Sequence, residues 1–236
     1  MAEQMTEEQL LFQERFNTGS SKTNNEDFER DGYLVVKSLW NPDALIRPVP
    51  QERGQINYWG KKLDQFSYSE LEQQVEGSLA VYSHPQYREI HSGIRLKLEN
   101  IIGRKLYNTY YYDRFYFKGQ ELTRHADRDA CEISVSVNIS TNLKECWPLW
   151  IKTPDTYKDD SKLEIIKRGE NRSVCLNPGD GMVYKGCERP HWRDPLPSRH
   201  KGFRFFRKDD TYYHQVFFHY VLADGGRAHC ANDMSR

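Results

Sequence analysis

Glu132-Ile133-Ser134-Val135-Ser136-Val137-Asn138-Ile139 alternates without a break. Ile133, Val135, Val137 and Ile139 fall on one side of an extended chain, and Ser134, Ser136 and Asn138 on the other. That is the period of a strand with one apolar face. Downstream, Trp147 to Ile151 is a short apolar run, and Leu163 to Ile166 and Ser173 to Leu176 flank Gly169-Glu170-Asn171 as a hairpin. Pro178-Gly179-Asp180-Gly181 reads as a turn before a strand over Met182 to Tyr184, and Tyr213 to Val221 is a last aromatic-rich strand. Upstream, Thr109 to Phe117 is equally rich in Tyr and Phe. So many short strands separated by turns predict a sandwich, jelly roll or barrel.

Helical signals precede the strands. Ile90, Ile94, Leu98, Ile101 and Ile102 recur at three to four residues within Tyr87 to Leu106 and place one apolar face on a helix. Gly32-Tyr33-Leu34-Val35-Val36 is strand-like, residues 41–66 read as loop, and 6–16 as a short amphipathic helix with Thr6 as its cap. Residues 17–25, rich in Ser, Thr, Asn and Gly, read as a linker. The expected organisation is residues 1–25 as N-terminal helix and linker, then one domain over 26–236: a helical preface (26–106), a β core (107–222) and a tail (223–236).

The chain has 236 residues, with 34 Lys+Arg against 34 Asp+Glu. A formal net charge of zero argues against a strongly basic nucleic-acid binder and a polybasic membrane anchor. Aromatic residues reach 13%, which a disordered chain would not carry. No apolar run approaches the roughly 18 residues needed to cross a bilayer. The acidic, polar start (Met1 to Leu10) is unlike a signal peptide. Cys131, Cys146, Cys175, Cys187 and Cys230 are odd in number and irregular in spacing, so neither a zinc knuckle nor a disulfide framework is expected, and a reducing cytoplasm is the default.

His125-Ala126-Asp127 is the first chemical signal. Two residues apart on extended chain, His125 and Asp127 project to the same side. A third imidazole on a neighbouring strand would complete a 2-His-1-carboxylate triad, the ligand set of non-haem Fe(II) with open positions. His84, His91, His200, His214, His219 and His229 lack special context. His191 follows a turn and the extended stretch Gly181 to Cys187, with several strands between it and Asp127.

Tyr116 to Asp127, with Gly119, Leu122, His125 and Asp127 at their spacings, resembles the Y-x-x-G-x-x-L-x-x-H-x-D block of prolyl-4-hydroxylase-like Fe(II)/2-oxoglutarate dioxygenases. Asn177 to Tyr184 followed by Pro190-His191 is similar to that family's turn, strand and distal histidine. The closer resemblance is to a bacterial and phage branch carrying three ordered blocks, here His125 to Ser134, Gly186 to Pro195 and Gln215 to Tyr220. It covers roughly residues 90–222.

The resemblance implies a double-stranded β-helix (jelly roll, cupin-like), mainly β with N-terminal helices. It implies Fe(II), 2-oxoglutarate and O2, with ascorbate as a candidate reductant. The implied reaction is hydroxylation of an unactivated C–H bond with release of succinate and CO2, and the carboxylate ligand points away from halogenation. His125, Asp127 and His191 match the metal ligands. Tyr116 matches the tyrosine that contacts the 2-oxoglutarate C5 carboxylate. The last strand departs from the pattern: Tyr212-Tyr213-His214-Gln215 offers no cation for that carboxylate. Arg193, two residues past His191 and so on the same side, is the first substitute, Lys201 the second and Arg204 the third. Asn138 is expected to line the barrel near the acid.

Arg128 and Glu132, flanking the ligands, could orient His125 or Asp127, or form a plain surface ion pair. Cys131 and Cys187 read as small apolar residues, and Trp192 as packing on the side away from His191. The substrate is a prolyl or other residue in a protein, a free amino acid or a small metabolite. Oxidative demethylation of nucleic acid and a catalytically silent metal-binding jelly roll are the alternatives. The oligomeric state is left open. Gly54 to Ser69 and Ser198 to Thr211 are expected to border the substrate mouth. The second, with Arg199, His200, Lys201, Arg204, Arg207 and Lys208 against Asp209 and Asp210, suggests a mobile loop and an anionic substrate.

Overall fold

Residues 22–47, 74–200 and 209–235 are described by the computed structural model. In chain order they form α1 (Lys22–Asp31), β1 (Tyr33–Val36), β2 (Leu79–Tyr82), α2 (Arg88–Ile102), β3 (Leu106–Phe117), β4 (Leu122–His125), β5 (Ile133–Thr141) and β6 (Leu149–Lys152). β7 (Thr156–Tyr157), β8 (Ile165–Lys167), β9 (Asn171–Val174), β10 (Gly181–Lys185), β11 (His191–Arg193) and β12 (Tyr212–Leu222) follow. The large sheet is antiparallel in the order β1-β10-β5-β12-β3-β2, and a smaller one runs β4-β11-β6-β9. The chain passes repeatedly between the two, from β3 to β4, back to β5, over to β6 and β9, back to β10, over to β11 and back to β12. This is the double-stranded β-helix, or jelly roll.

The alternating stretch is the middle of the large sheet. Its apolar side (Ile133, Val135, Val137, Ile139) packs with Val216, Phe218 and Tyr220 against Ile90, Ile94, Leu98 and Ile102 of α2. α2 therefore covers one face of the sheet with the stripe its periodicity predicts. It ends at Ile102 because Gly103 turns left-handed at φ +68°. Leu106, expected at the helix end, opens β3 instead. The opposite side of β5 (Ser134, Ser136, Asn138) faces the space between the sheets.

Several expectations change. The helical preface also supplies β1 and β2, the two edges of the large sheet. No hairpin forms around Gly169: β8 pairs with β7, and β9 pairs with β6, Leu149 facing Val174. Gly169 is pressed against the Thr153 and Pro154 carbonyls, which leaves no room for a Cβ and bends the chain away from a simple ribbon. The expected linker is helical from Lys22 onward, while the expected helix over 6–16 lies outside the described residues, as does most of the 41–66 loop. Cys146 and Cys175 form a disulfide beside the Leu149–Val174 pair. That corrects the expectation of fully reduced cysteines and removes the sequence argument for a reducing compartment. Irregular spacing hid the pair because the contact is made by strand pairing, not by local sequence. Among the described residues no helix is long and apolar enough to cross a membrane.

Candidate metal centre

β4 ends on His125 and β11 begins on His191, and the two are direct partners in the antiparallel register. Their rings lie 4.3 Å apart between centroids. Each Nδ1 contacts a backbone carbonyl, His125 that of Thr123 at 2.8 Å and His191 that of Arg189 at 3.0 Å. A carbonyl only accepts, so both Nδ1 atoms carry the proton and each Nε2 presents its lone pair as the acceptor, that of His125 lying 2.7 Å from Gln74 Nε2. The Nε2 atoms stand 3.4 Å (His125) and 3.5 Å (His191) from Asp127 Oδ1. All three donor atoms fall within 4.8 Å of one another, a spacing one ion can span.

Asp127 is held by its neighbours. Its backbone N–H donates to the Gly186 carbonyl at 2.9 Å, and Ser134 donates its hydroxyl to Oδ2 at 2.8 Å. A single hydroxyl proton goes to the carboxylate, so the Ser134 oxygen accepts from His219 Nδ1, 3.0 Å away. A Cβ at position 186 would run into Asp127 Oδ2 and the Cys131 carbonyl, so glycine is what lets the carboxylate sit there. Burial works against a charge on Asp127, but the adjoining imidazoles outweigh it and hold the carboxyl below its usual range. Burial lowers His191, keeping it neutral. A carboxylate flanked by two imidazoles is the donor set that suits a divalent iron.

Asp127, Cys131 and His219 also bring donor atoms within 4.8 Å. Burial pushes the Cys131 thiol well above its usual value, so it stays protonated and makes a poor ligand. Cys131 is buried against the Tyr110 hydroxyl, and Cys187 donates to the Arg128 carbonyl, in keeping with packing roles.

Two guanidinium groups, those of Arg193 and Arg114, are also buried in the protein. Arg193, 1% exposed, lies over the rings of Trp147 and Tyr213 at 4.4 and 4.6 Å. It donates to Gln215 Oε1 at 2.7 Å and to the Trp147 carbonyl. Its Nε and the Gln215 Nε2 have no hydrogen-bond partner, and among the described residues no carboxylate pairs with Arg193. Arg114, opposite Gln215 in the register, donates to the Tyr116 hydroxyl at 3.2 Å. Arg193, a buried guanidinium that no carboxylate meets among the described residues, calls for an anionic ligand. Asn138 lies opposite Gln215 on β5 and donates to the Leu176 carbonyl at 2.7 Å, with its own oxygen unpartnered.

Other expectations fare differently. Arg128 and Glu132 do not orient the ligands. Arg128 donates to Asp233 at 2.8 Å and to the Ser235 carbonyl, while Glu132 accepts from the Leu222 amide at 2.8 Å, so both tie down the C-terminal segment. The reason is local: Arg128 precedes, and Glu132 follows, a short 3-10 turn, and their side chains reach the C-terminal segment, while Ser134 and His219 take the expected place beside Asp127. Trp192 does face away from His191, stacking on Trp150 with Arg124 4.5 Å above its ring. Lys201, Arg204, Arg207, Lys208 and Gly54 to Ser69 lie outside the described residues. Of the basic stretch, Arg199 and His200 both bind Asp210 at 2.7 Å, so their charge is answered locally. Arg114, Gln74, Ser134 and His219 went unsuggested as site residues. The two-residue period joining Arg114 to Tyr116 is the signal that could have found the first.

No protein-family model and no curated protein matches the chain. Solved structures do. A prolyl-4-hydroxylase from Pseudomonas putida aligns over 84% of this chain and 97% of its own at 14% identity and TM-score 0.51. EctD from S. alaskensis with bound Fe aligns over 86% and 77%, at 16% identity and TM-score 0.55. A Trichoplax adhaerens prolyl hydroxylase in complex with a hypoxia inducible factor peptide aligns over 92% and 94%, at 13% identity and TM-score 0.52. The chain has the double-stranded β-helix fold of the prolyl-4-hydroxylase-like 2-oxoglutarate/Fe(II) oxygenase structures.

Proposed function

We propose that this protein is an Fe(II)- and 2-oxoglutarate-dependent oxygenase that hydroxylates an unactivated C–H bond. The observation that carries the reading is the convergence of His125 Nε2, His191 Nε2 and Asp127 Oδ1, with both Nδ1 protons fixed on carbonyls. His125, Asp127 and His191 would hold the iron. When bound together, ferrous iron and 2-oxoglutarate supply an oxidant for C–H bonds, with succinate and CO2 released. A set of only three protein ligands would leave such an ion accessible to the acid co-substrate.

Arg193 is our choice of partner for the acid's far carboxylate, with Gln215 and the Tyr116 and Tyr213 hydroxyls as further donors and Arg114 as a second cation. Asn138 would border that carboxylate. The unneutralised, buried Arg193 favours an acid co-substrate over a silent metal-binding module. The enclosing rings of Trp147, Tyr116 and Tyr213 would exclude water and strengthen the ion pair. A prolyl or other amino-acid residue, or a small metabolite, is the proposed substrate range, since the similar structures include prolyl hydroxylases and EctD with 5-hydroxyectoine. The test is anaerobic loading with Fe(II), then exposure to O2 and 2-oxoglutarate. Succinate formation that disappears in His191→Ala supports the reading, and substrate screening by a 16 Da mass gain follows. Metal-loaded protein that consumes no 2-oxoglutarate with any peptide, amino acid or metabolite would overturn it.

A further inference from the structure

Gln74 makes two contacts that the proposed reaction does not use. Its Nε2 lies 2.7 Å from His125 Nε2, and its Oε1 lies 3.2 Å from Arg114 NH1. The direction of each bond follows from chemistry. A guanidinium only donates, so the carboxamide oxygen faces Arg114 and the NH2 faces His125. His125 Nδ1 is bound to the Thr123 carbonyl and carries the proton, so its Nε2 is the acceptor. Arg114 therefore donates to Gln74, Gln74 to His125, and His125 to Thr123, a one-way relay from the buried Arg114 guanidinium to the metal centre. Val75, buried with Tyr112, Tyr116 and Leu122, anchors the backbone beside Gln74.

We propose that Gln74 is a positioning residue that competes with the metal for His125 and thereby couples metal capture to acid binding at Arg114. The proposal rests on the reading of His125, Asp127 and His191 as the metal site. The His125 Nε2 lone pair can accept the Gln74 amide or ligate a cation, but not both. Metal binding must therefore break the Gln74–His125 bond. An acid that draws Arg114 to itself weakens the hold on Gln74 Oε1, makes the amide a poorer donor and loosens its grip on His125. By linkage, acid and metal then favour one another through Gln74.

Calorimetric titration of the metal-free full chain with Mn(II) tests this without turnover. Glutarate, which lacks the 2-oxo group, serves as the acid. The wild-type chain should bind one Mn(II), and His191→Ala should abolish binding. Gln74→Leu, close in size, and Gln74→Ala should both bind Mn(II) about threefold to tenfold tighter, the effect of removing one net hydrogen bond from the metal-free state. Glutarate should tighten Mn(II) binding in the wild type and do so less in Gln74→Leu. Weaker Mn(II) binding in both variants would make Gln74 a ligand and overturn the proposal, as would affinities equal to wild type. A glutarate effect of undiminished size in Gln74→Leu would overturn the coupling. Full Mn(II) affinity in His191→Ala would instead overturn the metal-site reading, whatever the Gln74 variants do.

Discussion

Val216, Phe218 and Tyr220 leave β12 toward α2, whereas Tyr213, Gln215, Phe217 and His219 leave the same strand toward the interior between the sheets. On the helix side the polar groups mostly satisfy one another. Tyr220 donates its hydroxyl to the His91 carbonyl at 2.8 Å, His91 Nε2 donates to the His219 carbonyl at 3.0 Å, and His214 Nε2 donates to Asp113 at 2.7 Å, although His214 Nδ1 and Asp113 Oδ1 have no hydrogen-bond partner among the described residues. On the interior side Arg193 Nε, Gln215 Nε2, His219 Nε2 and Asn138 Oδ1 lack partners though buried. Leaving such groups unsatisfied is destabilising by about 1–3 kcal/mol each. One face of the sheet thus secures the fold, and the other retains polar groups for ligands the chain does not itself supply. Variants on the two faces should separate stability from activity.

The largest break is expected at the ligands. His191→Ala or Asp127→Ala should abolish metal binding and 2-oxoglutarate turnover while the melting temperature stays near wild type; calorimetry and scanning fluorimetry read the two. Next, Phe218→Ala should lower unfolding free energy by about 3–5 kcal/mol in denaturant titrations, yet leave the 2-oxoglutarate KM of the folded fraction unchanged. A shift in that KM would show that the faces are not independent. Third, Arg193→Met should raise the 2-oxoglutarate KM about 10–100-fold with little change in stability. An unchanged KM would move the assignment to Arg114. Fourth, Ser134→Ala, which removes the donor to Asp127 Oδ2, should weaken Mn(II) binding about tenfold.

The last effect is a slope. Burial lowers His91 to about 4, against an ordinary value near 6.5. Between those values the unfolded chain binds a proton that the fold refuses. Stability should therefore fall as pH drops from about 6.5 to about 4 and gain no further loss from this group below that. In His91→Phe this part of the slope should vanish. An identical slope in both proteins would remove His91 from the account.

Much of this division could be read from residue order. Period two in β5 and period 3.6 in α2 each depend on local alternation, so both were legible. His125, Asp127 and His191 were legible only once the flanking blocks were compared, since H-x-D alone is common. Arg193 followed from alternation past His191. Arg114 was not seen, because it sits in a run of aromatics whose facing depends on strand pairing. Gln74 was invisible for a related reason: nothing near it in sequence says that the chain returns to His125. The β7–β8 and β6–β9 pairings were misread because the Gly169 bend looks locally like a tight turn, and the sheet partners lie farther away.

The Cys146–Cys175 bridge closes a loop of 29 residues and lies at the exposed rim. Cys146 precedes Trp147, whose ring lies over Arg193 and whose carbonyl accepts from it. Accessible disulfides exchange with thiols. Dithiothreitol or glutathione used to keep iron ferrous in the test tube would therefore also attack the strap behind the Arg193 wall. Assays run in thiol and in ascorbate would then sample two differently tethered forms of one protein, and the choice of reductant becomes an experimental variable.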